Sequence, residues 1–423
     1  MTHVLDELAW RGLLAQTTDL AALRAAFDAG PVTYYCGFDP TAPSLHHGHL
    51  VQLLTMRRLQ RAGNRPLALV GGSTGLIGDP RPTAERQLQA KETVAGWVER
   101  IAGQIRPYLD FEGAFAAQLV DNLSWTAPLS AIDFLRDVGK HFSVNRMLAK
   151  DAVSARLESE SGISYTEFSY QLLQALDFLE LNRRHGCTLQ TAGSDQWGNM
   201  TAGLDLMRRA DGVTGHALGT PLLTKADGTK FGKSEGGAIW LDPELTSPYA
   251  FFQFWLQAED AQVGTYLRIM TDRGAEEIAE LEEATASRPG AREAQRALAR
   301  ELTTLVHGET ECRRAEDAAA ALFGRGELAE LPEATLAAAI GEVPSVEAPP
   351  GDQRTLAELF EAVGLVESRS AARRAATEGG LYVNNVRATD ALVTPDAGDW
   401  LHGRYLVLRR GRQHVGGIRR VAG

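Results

Sequence analysis

The sequence predicts an α/β chain: a doubly wound, parallel-sheet (Rossmann-like) domain, then an α-helical domain, then a small α+β module. Three observations carry this expectation. Strand-type runs alternate with helical stretches over the first 220 or so residues. Strand signals then vanish from residue 247 to about 322, where Ala, Glu, Leu and Arg recur at helical spacing. A stretch containing Gly324, Gly326, Pro332, Pro344, Pro349, Pro350 and Gly351 precedes a last segment with its own helix caps. Domains are therefore expected at 1–246, 247–323 and 353–423, with 324–352 as a linker. A chain of 423 residues is too long for one core, since domains average about 150 residues.

Residues 5–29 carry apolar positions at helical spacing, and Thr18-Asp19 offers an N-cap ahead of Leu20, Leu23 and Phe27. The β-type run 32–38 leads through Asp39, Pro40 and Thr41 into a helical stretch at 49–61. Residues 66–72 form a second strand, ended by Gly71-Gly72. Strand, helix, strand is a βαβ unit, which favours a parallel sheet with ligands at the carboxyl ends of its strands. The alternation continues through a strand at 118–120, a helix at 165–177, and strands at 189–193 and 221–223. In the last module Thr355 caps a helix at 356–363, Ser368 caps one at 369–377, Gly379-Gly380 stops it, and 381–386 reads as a strand entering a tight turn.

Composition excludes several classes. A hydrophobic fraction of 44% and a charged fraction of 23% argue against disorder and fibrous repeats. No apolar run approaches the ~18 residues of a membrane span, and Asp6 and Glu7 stand where an export signal would carry positive charge. Cys36, Cys187 and Cys312 are far apart, without metal-ligand spacing, and read as free thiols of a reducing, cytoplasmic compartment. A net charge of −11 disfavours a nucleic-acid partner, but it is unevenly spread. Arg404, Arg409, Arg410, Arg412, Arg419 and Arg420 crowd the end of the chain, which permits a local RNA contact and equally suits a solvated terminus.

Five elements carry candidate chemistry. His46-His47-Gly48-His49 sits at a loop-to-helix junction, where helix N-terminal amides favour anions and glycine allows close approach. Lys230-Phe231-Gly232-Lys233-Ser234 places two lysines three apart in a Gly-rich segment, able to neutralise charge on a leaving pyrophosphate. Tyr170, Gln174 and Asp177 fall on one face of a largely apolar helix, so a buried Asp177 needs a partner. Gly193-Ser194-Asp195-Gln196-Trp197-Gly198-Asn199 follows a strand and enters a helix. Residues 71–80 superficially suggest a dinucleotide fingerprint, but the glycine spacing is wrong and no ribose-binding acid follows where expected. Taken singly, each also fits a blander reading: surface histidines, a solvated lysine loop, an amphipathic helix edge, a plain turn.

Together, the string from Tyr35 to His49 and the lysine segment, preceded by Lys225-Ala226-Asp227-Gly228, resemble the two nucleotide signatures of class I aminoacyl-tRNA synthetases in their tyrosyl form. The resemblance spans essentially the whole chain, with His47 a departure where an apolar residue is frequent and the stretch Arg81-Pro82-Thr83 shortened. It implies activation of L-tyrosine with ATP to tyrosyl-adenylate, with Mg2+ accompanying the nucleotide and no protein metal site, followed by transfer to tRNA(Tyr) by a homodimer. By resemblance, Thr41, His46, His49, Lys230 and Lys233 stabilise the transition state. Gly37, Asp39, Gly48, Gly193 and Asp195 complete the ATP site. Tyr170, Gln174 and Asp79 hold the substrate ammonium, Gln196 lies near its carboxylate, and Tyr35 and Asp177 meet its phenol. Arg86 matches a charged position near the ATP or the tRNA end, and Arg409, Arg410 and Arg412 would contact tRNA. Alternatives are a class I synthetase for another aromatic amino acid, a small nucleotidyltransferase, and a paralogue that binds RNA without catalysis. Indole would not need Tyr35 and Asp177, the long chain speaks against the second, and the intact lysine segment against the third.

Overall fold

Residues 3–80, 87–158, 162–224 and 238–421 are described by the computed structural model. They fall into two compact units, Met1–Leu241 with Gly264–Ile278, and Asp242–Val263 with Ala279–Gly423.

The first unit is built on a six-stranded sheet. Its strands are β1 (Gln16–Thr17), β2 (Thr33–Phe38), β3 (Arg65–Val70), β4 (Gln118–Asp121), β5 (Leu189–Gly193) and β6 (His216–Thr220), in the spatial order β1-β6-β5-β2-β3-β4. All neighbouring pairs are parallel except β1 with β6. The residues of β3 from Pro66 to Val70 are buried, as expected of a parallel sheet covered on both faces. The chain runs outward from β2 through β3 to β4, then returns to build β5 and β6 on the other side. The strand order thus reverses between β2 and β5, where open α/β sheets leave a ligand crevice at the carboxyl ends. Asp19 caps the helix Leu20–Ala29 by accepting from the Ala22 N–H at 2.9 Å.

The strand expected at 221–223 lies instead at His216–Thr220. Pro221 follows directly and has no N–H to donate to a ladder, so it ends the strand. The two-residue β1 carried no periodic signal at all, and pairing with β6 alone defines it.

In the second unit the helices Pro248–Leu256, Glu293–His307 and Glu309–Leu322 bury Phe251, Trp255, Leu298, Leu302 and Leu322. Residues 324–352 hold the helix Glu333–Gly341 and the strand β7 (Ser345–Ala348). The rest of the sheet is β8 (Leu381–Val383), β9 (Val386–Arg387), β10 (Tyr405–Arg410) and β11 (His414–Arg420), in the order β7-β11-β10-β8-β9. Thr355 and Glu358 form a capping box at the helix Leu356–Ala362, and Ser368 caps the helix Arg369–Thr377. These helices bury Leu359, Phe360, Ala372 and Ala376 against Leu406, Leu408 and Ile418. Asn384 and Asn385 turn between β8 and β9 at φ of 48° and 68°, as a two-residue hairpin requires.

The sequence shows one strand of this module, at 381–386, and conceals the β10–β11 hairpin. Arginines and glycines masked it. A Cβ at Gly417 would lie 2.5 Å from Ile340 Cγ2, so close approach by a neighbouring helix explains a strand glycine that looks like a loop signal.

Candidate active site

The carboxyl ends of β2 and β5 open onto a cavity of about 400 Å³ lined by residues of four of the five sequence elements. At its mouth, His46 is the N-cap of the helix His47–Arg61. His46 Nδ1 accepts from the Gly48 N–H at 3.0 Å, and His49 Nδ1 accepts from the His46 N–H at 3.1 Å. The two rings stack with centroids 3.9 Å apart. Because each Nδ1 is an acceptor, each neutral ring carries its proton on Nε2 and presents an N–H donor. Burial, reinforced by His47, holds His49 down at about 4, so it is uncharged at neutral pH. A Cβ at Gly48 would lie 2.9 Å from the His46 ring, so the middle glycine of this motif makes room for its own cap.

Lys230 and Lys233 lie outside the described residues, as do Arg81 and Arg86. The segment after the lysines is held to the histidine motif: His46 bridges Trp240, the His47 N–H donates to the Ile239 carbonyl at 3.0 Å, and the Leu241 N–H to the Leu45 carbonyl at 2.8 Å. Leu222, Leu223 and Ala238 line the cavity, so both flanks of the lysine segment reach it.

At the cavity floor Asp177 is buried, accepting from Asn122 Nδ2 at 3.0 Å and from Trp125 Nε1 at 2.9 Å. Burial pushes its carboxyl up to about 8; these two hydrogen bonds oppose the rise, and Asp39 and Asp121 add to it. Tyr35 is also buried, its ring 5.2 Å from that of Phe178, and its hydroxyl has no partner among the described residues. Burial and the nearby Asp177 both raise its pKa. Asn122 and Trp125 escaped the sequence reading. They follow β4, and the carboxyl-end rule for parallel strands was the available signal.

Asp39, Asp79 and Asp195 also line the cavity, carboxyl groups that suit a cationic group. The Tyr170 hydroxyl donates to Asp39 Oδ2 at 2.7 Å and the Thr74 hydroxyl to Asp39 Oδ1 at 2.7 Å. Gln174 Oε1 is buried without a hydrogen-bond partner. Gln196 Nε2 donates to Asp79 Oδ2 at 3.0 Å. Gly37, Thr41 and Gly193 line the same cavity, and a Cβ at Gly193 would lie 2.7 Å from Asp195 Oδ1. The glycines of the 71–80 stretch have a local cause as well. A side chain at Gly71 would collide with Thr74 and Asp39, and one at Gly72 with Asp121. We expect Gly71→Ala to displace Asp39 and so to lower both kcat/KM and stability, the latter by about 1–3 kcal/mol, measurable by urea unfolding.

The arginines of the C-terminal module differ among themselves. Arg409 is buried, its guanidinium 4.0 Å from the Tyr382 ring centroid and its Nη1 donating to the Gly411 carbonyl at 2.6 Å. Arg410 is exposed and donates to the Leu365 carbonyl at 3.0 Å, and Arg412 is exposed. Of these three, Arg409 is committed to holding its own module together, and Arg410 and Arg412 are exposed.

Comparison with known proteins agrees with this geometry. Residues 28–324 match the family tRNA synthetases class I (W and Y), and residues 335–415 match the tyrosine–tRNA ligase SYY-like C-terminal domain. A tyrosine–tRNA ligase of Streptomyces griseus is 64% identical over 419 residues, 99% of each chain. One of Mycobacterium bovis is 58% identical over 420 residues, again 99% of each. Among solved structures, a C-terminally truncated mitochondrial tyrosyl-tRNA synthetase of Coccidioides posadasii superposes with a TM-score of 0.66 at 31% identity, covering 74% of this chain and 91% of that one.

Proposed function

The chain belongs to the class I tRNA synthetases of the tryptophan and tyrosine group, and from that premise we propose that the cavity joins L-tyrosine to ATP before the tyrosyl group passes to tRNA(Tyr). The enzyme is a tyrosine–tRNA ligase. The observation that carries the substrate choice is the cavity floor, where the Asp177 carboxyl and the unpartnered Tyr35 hydroxyl are buried side by side. A phenol donates to Asp177 and accepts from Tyr35; phenylalanine offers neither group and an indole N–H accepts nothing, so either would leave the Tyr35 hydroxyl unpaired, which costs its desolvation.

In the first step the tyrosine carboxylate attacks the α-phosphorus of MgATP. The bond to the β-phosphate bridging oxygen breaks, and magnesium pyrophosphate leaves with its electrons. No covalent intermediate with the protein forms, so the protein supplies position and charge stabilisation. Tyr170, Gln174 and Asp79 receive the substrate ammonium, and Gln196 faces the carboxylate. Gly37, Gly48 and Gly193 let the nucleotide approach the backbone, while Asp39 and Asp195 take its ribose side. His46 and His49 direct Nε2 donors at the phosphates beside Thr41, and Lys230 and Lys233 complete the charge stabilisation. In the second step a ribose hydroxyl of the terminal adenosine of tRNA attacks the tyrosyl carbonyl and AMP leaves. Arg410 and Arg412 of the C-terminal module contact the tRNA body.

On this reading the enzyme works in the cytoplasm as a homodimer. Ile132, Leu135, Val144 and Leu148 are exposed along one segment of the first unit, an apolar surface that a second copy would cover.

Amino-acid-dependent exchange of labelled pyrophosphate into ATP tests the proposal. Exchange is expected with tyrosine and not with phenylalanine or tryptophan. Exchange with another aromatic amino acid would keep the reaction and overturn the reading of the floor, whereas none with any of them would leave RNA binding without catalysis.

A further inference from the structure

Beside the tyrosine cavity a second cavity of about 430 Å³ is lined by Arg146, Lys150, Gln171, Gly198 and Arg209, among others. Two of its cations are engaged with Asp205: Arg146 Nη1 lies 3.1 Å from Oδ2 and Arg209 Nη2 3.3 Å from the same oxygen. Lys150 turns the other way. Its Nζ donates to Asn199 Oδ1 at 2.7 Å, and its stem lies along the start of the helix Trp197–Asp211, where a Cβ at Gly198 would sit 3.3 Å from Lys150 Cε.

This placement does nothing for the helix itself. An ammonium at a helix N-terminus meets the positive end of the backbone dipole, where an acidic group would be favoured. Burial also weakens the lysine's proton, bringing it down to about 8 against the pull of Asp79.

What Lys150 does accomplish follows from hydrogen-bond polarity. A lysine ammonium can only donate, so the Asn199 amide must turn its oxygen toward Nζ and its NH2 group away. That NH2 group donates to Gln196 Oε1 at 2.9 Å and to Asp79 Oδ1 at 3.3 Å. With its oxygen occupied, Gln196 turns its own NH2 group toward the cavity and donates to Asp79 Oδ2 at 3.0 Å. One cation thereby sets the orientation of two amides. Without it Asn199 can rotate and put its oxygen against the Asp79 carboxylate.

We propose that Lys150 is a positioning residue for amino-acid activation, orienting through Asn199 the Gln196 and Asp79 side chains that receive the carboxylate and ammonium of the substrate. The inference rests on reading the cavity as a tyrosine site. It places the action of Lys150 on tyrosine binding, before any tRNA is present.

The test is tyrosine-dependent pyrophosphate exchange by the full chain without tRNA, with tyrosine and ATP varied separately. Lys150→Met should raise KM for tyrosine about tenfold, the scale of one hydrogen bond to a charged group. Its kcat and its KM for ATP should stay within about twofold. Lys150→Arg, which keeps a donor-only cation, should restore KM for tyrosine to within about threefold. Asn199→Asp keeps a partner for Lys150 but loses both donations, and should raise KM for tyrosine at least as far as Lys150→Met. The double variant Lys150→Met/Asn199→Ala should be no worse than Asn199→Ala alone, because the lysine acts through the amide.

An unchanged KM for tyrosine in Lys150→Met, an equal rise in KM for ATP, or no rescue by arginine would each overturn the inference. Should Lys150→Met fail to fold, Lys150→Arg and Asn199→Asp carry the same test, and a normal KM for tyrosine in Asn199→Asp refutes it. Absence of tyrosine-dependent exchange in the unmodified chain would instead remove the functional reading beneath it.

Discussion

Asp177→Ala should lower kcat/KM for tyrosine about a thousandfold in pyrophosphate exchange, while KM for ATP stays within about twofold. The size follows from two losses. The substrate phenol loses the buried carboxyl that is its partner, and Trp125 Nε1 and Asn122 Nδ2, which donate to Asp177 at 2.9 and 3.0 Å, lose their acceptor in a buried site. At roughly 1–3 kcal/mol for the phenol left without its partner and about 1 kcal/mol for each of the two orphaned donors, the sum is about 4 kcal/mol, or about three decades. Asp177→Asn keeps the shape and is expected to be impaired mainly in discrimination, accepting phenylalanine more readily relative to tyrosine. Unchanged selectivity in either variant would refute the assignment of the phenol contact.

The same residue makes an expectation about stability, in the opposite direction. The folded-state pKa of Asp177 is raised by burial from 3.8 to about 8. Between those values the folded protein holds a proton that the unfolded chain has released, so stability falls as pH rises across that window. Asp177→Asn removes this titration. Its thermal midpoint, relative to the unmodified protein without substrate, should therefore improve from pH 5 to pH 8.5. A difference independent of pH would mean that the carboxyl stays ionised throughout.

His46→Ala and His49→Ala should each lower kcat for activation about 10²- to 10³-fold, the usual cost of removing one preorganised donor from a developing charge. KM for tyrosine should change little, because the phenol and ammonium contacts lie deeper in the cavity. The two effects should not add. His49 accepts from the His46 N–H, His46 accepts from the Gly48 N–H, and the rings stack at 3.9 Å, so either truncation disturbs both. His49 is held near 4 and works as a neutral donor. The rate should accordingly show no step near pH 6.5 that His49→Asn abolishes, and such a step would show that His49 acts as a cation.

Sequence alone located most of the cavity wall. The strands at 32–38, 66–72 and 189–193 were legible because their apolar runs are bounded by glycines and prolines, and the helix caps at Asp19, Thr355 and Ser368 because a cap is a local hydrogen bond. His46, Gly48 and His49 act within four residues of each other, so their motif carries its own geometry. The hairpin of β10 and β11 was illegible for the converse reason: its buried strand glycines are explained by Ile340 and Val363, residues far away in the chain.

What the sequence by itself determined, then, is most of the order of strands and helices, the motifs whose residues line the cavity, and the local caps, all of which depend on neighbours a few residues apart. What only the tertiary structure decided is who partners whom across the cavity. Asn122 and Trp125 find Asp177 over more than fifty residues, Tyr170 finds Asp39 over 131, and Lys150 finds Asn199 over 49. It also withdrew Arg409 into its own module and left Arg410 and Arg412 outside. Such pairings have no period and no spacing rule, because the register of the sheet and the approach of its helices bring them together, and those are properties of the whole packed chain.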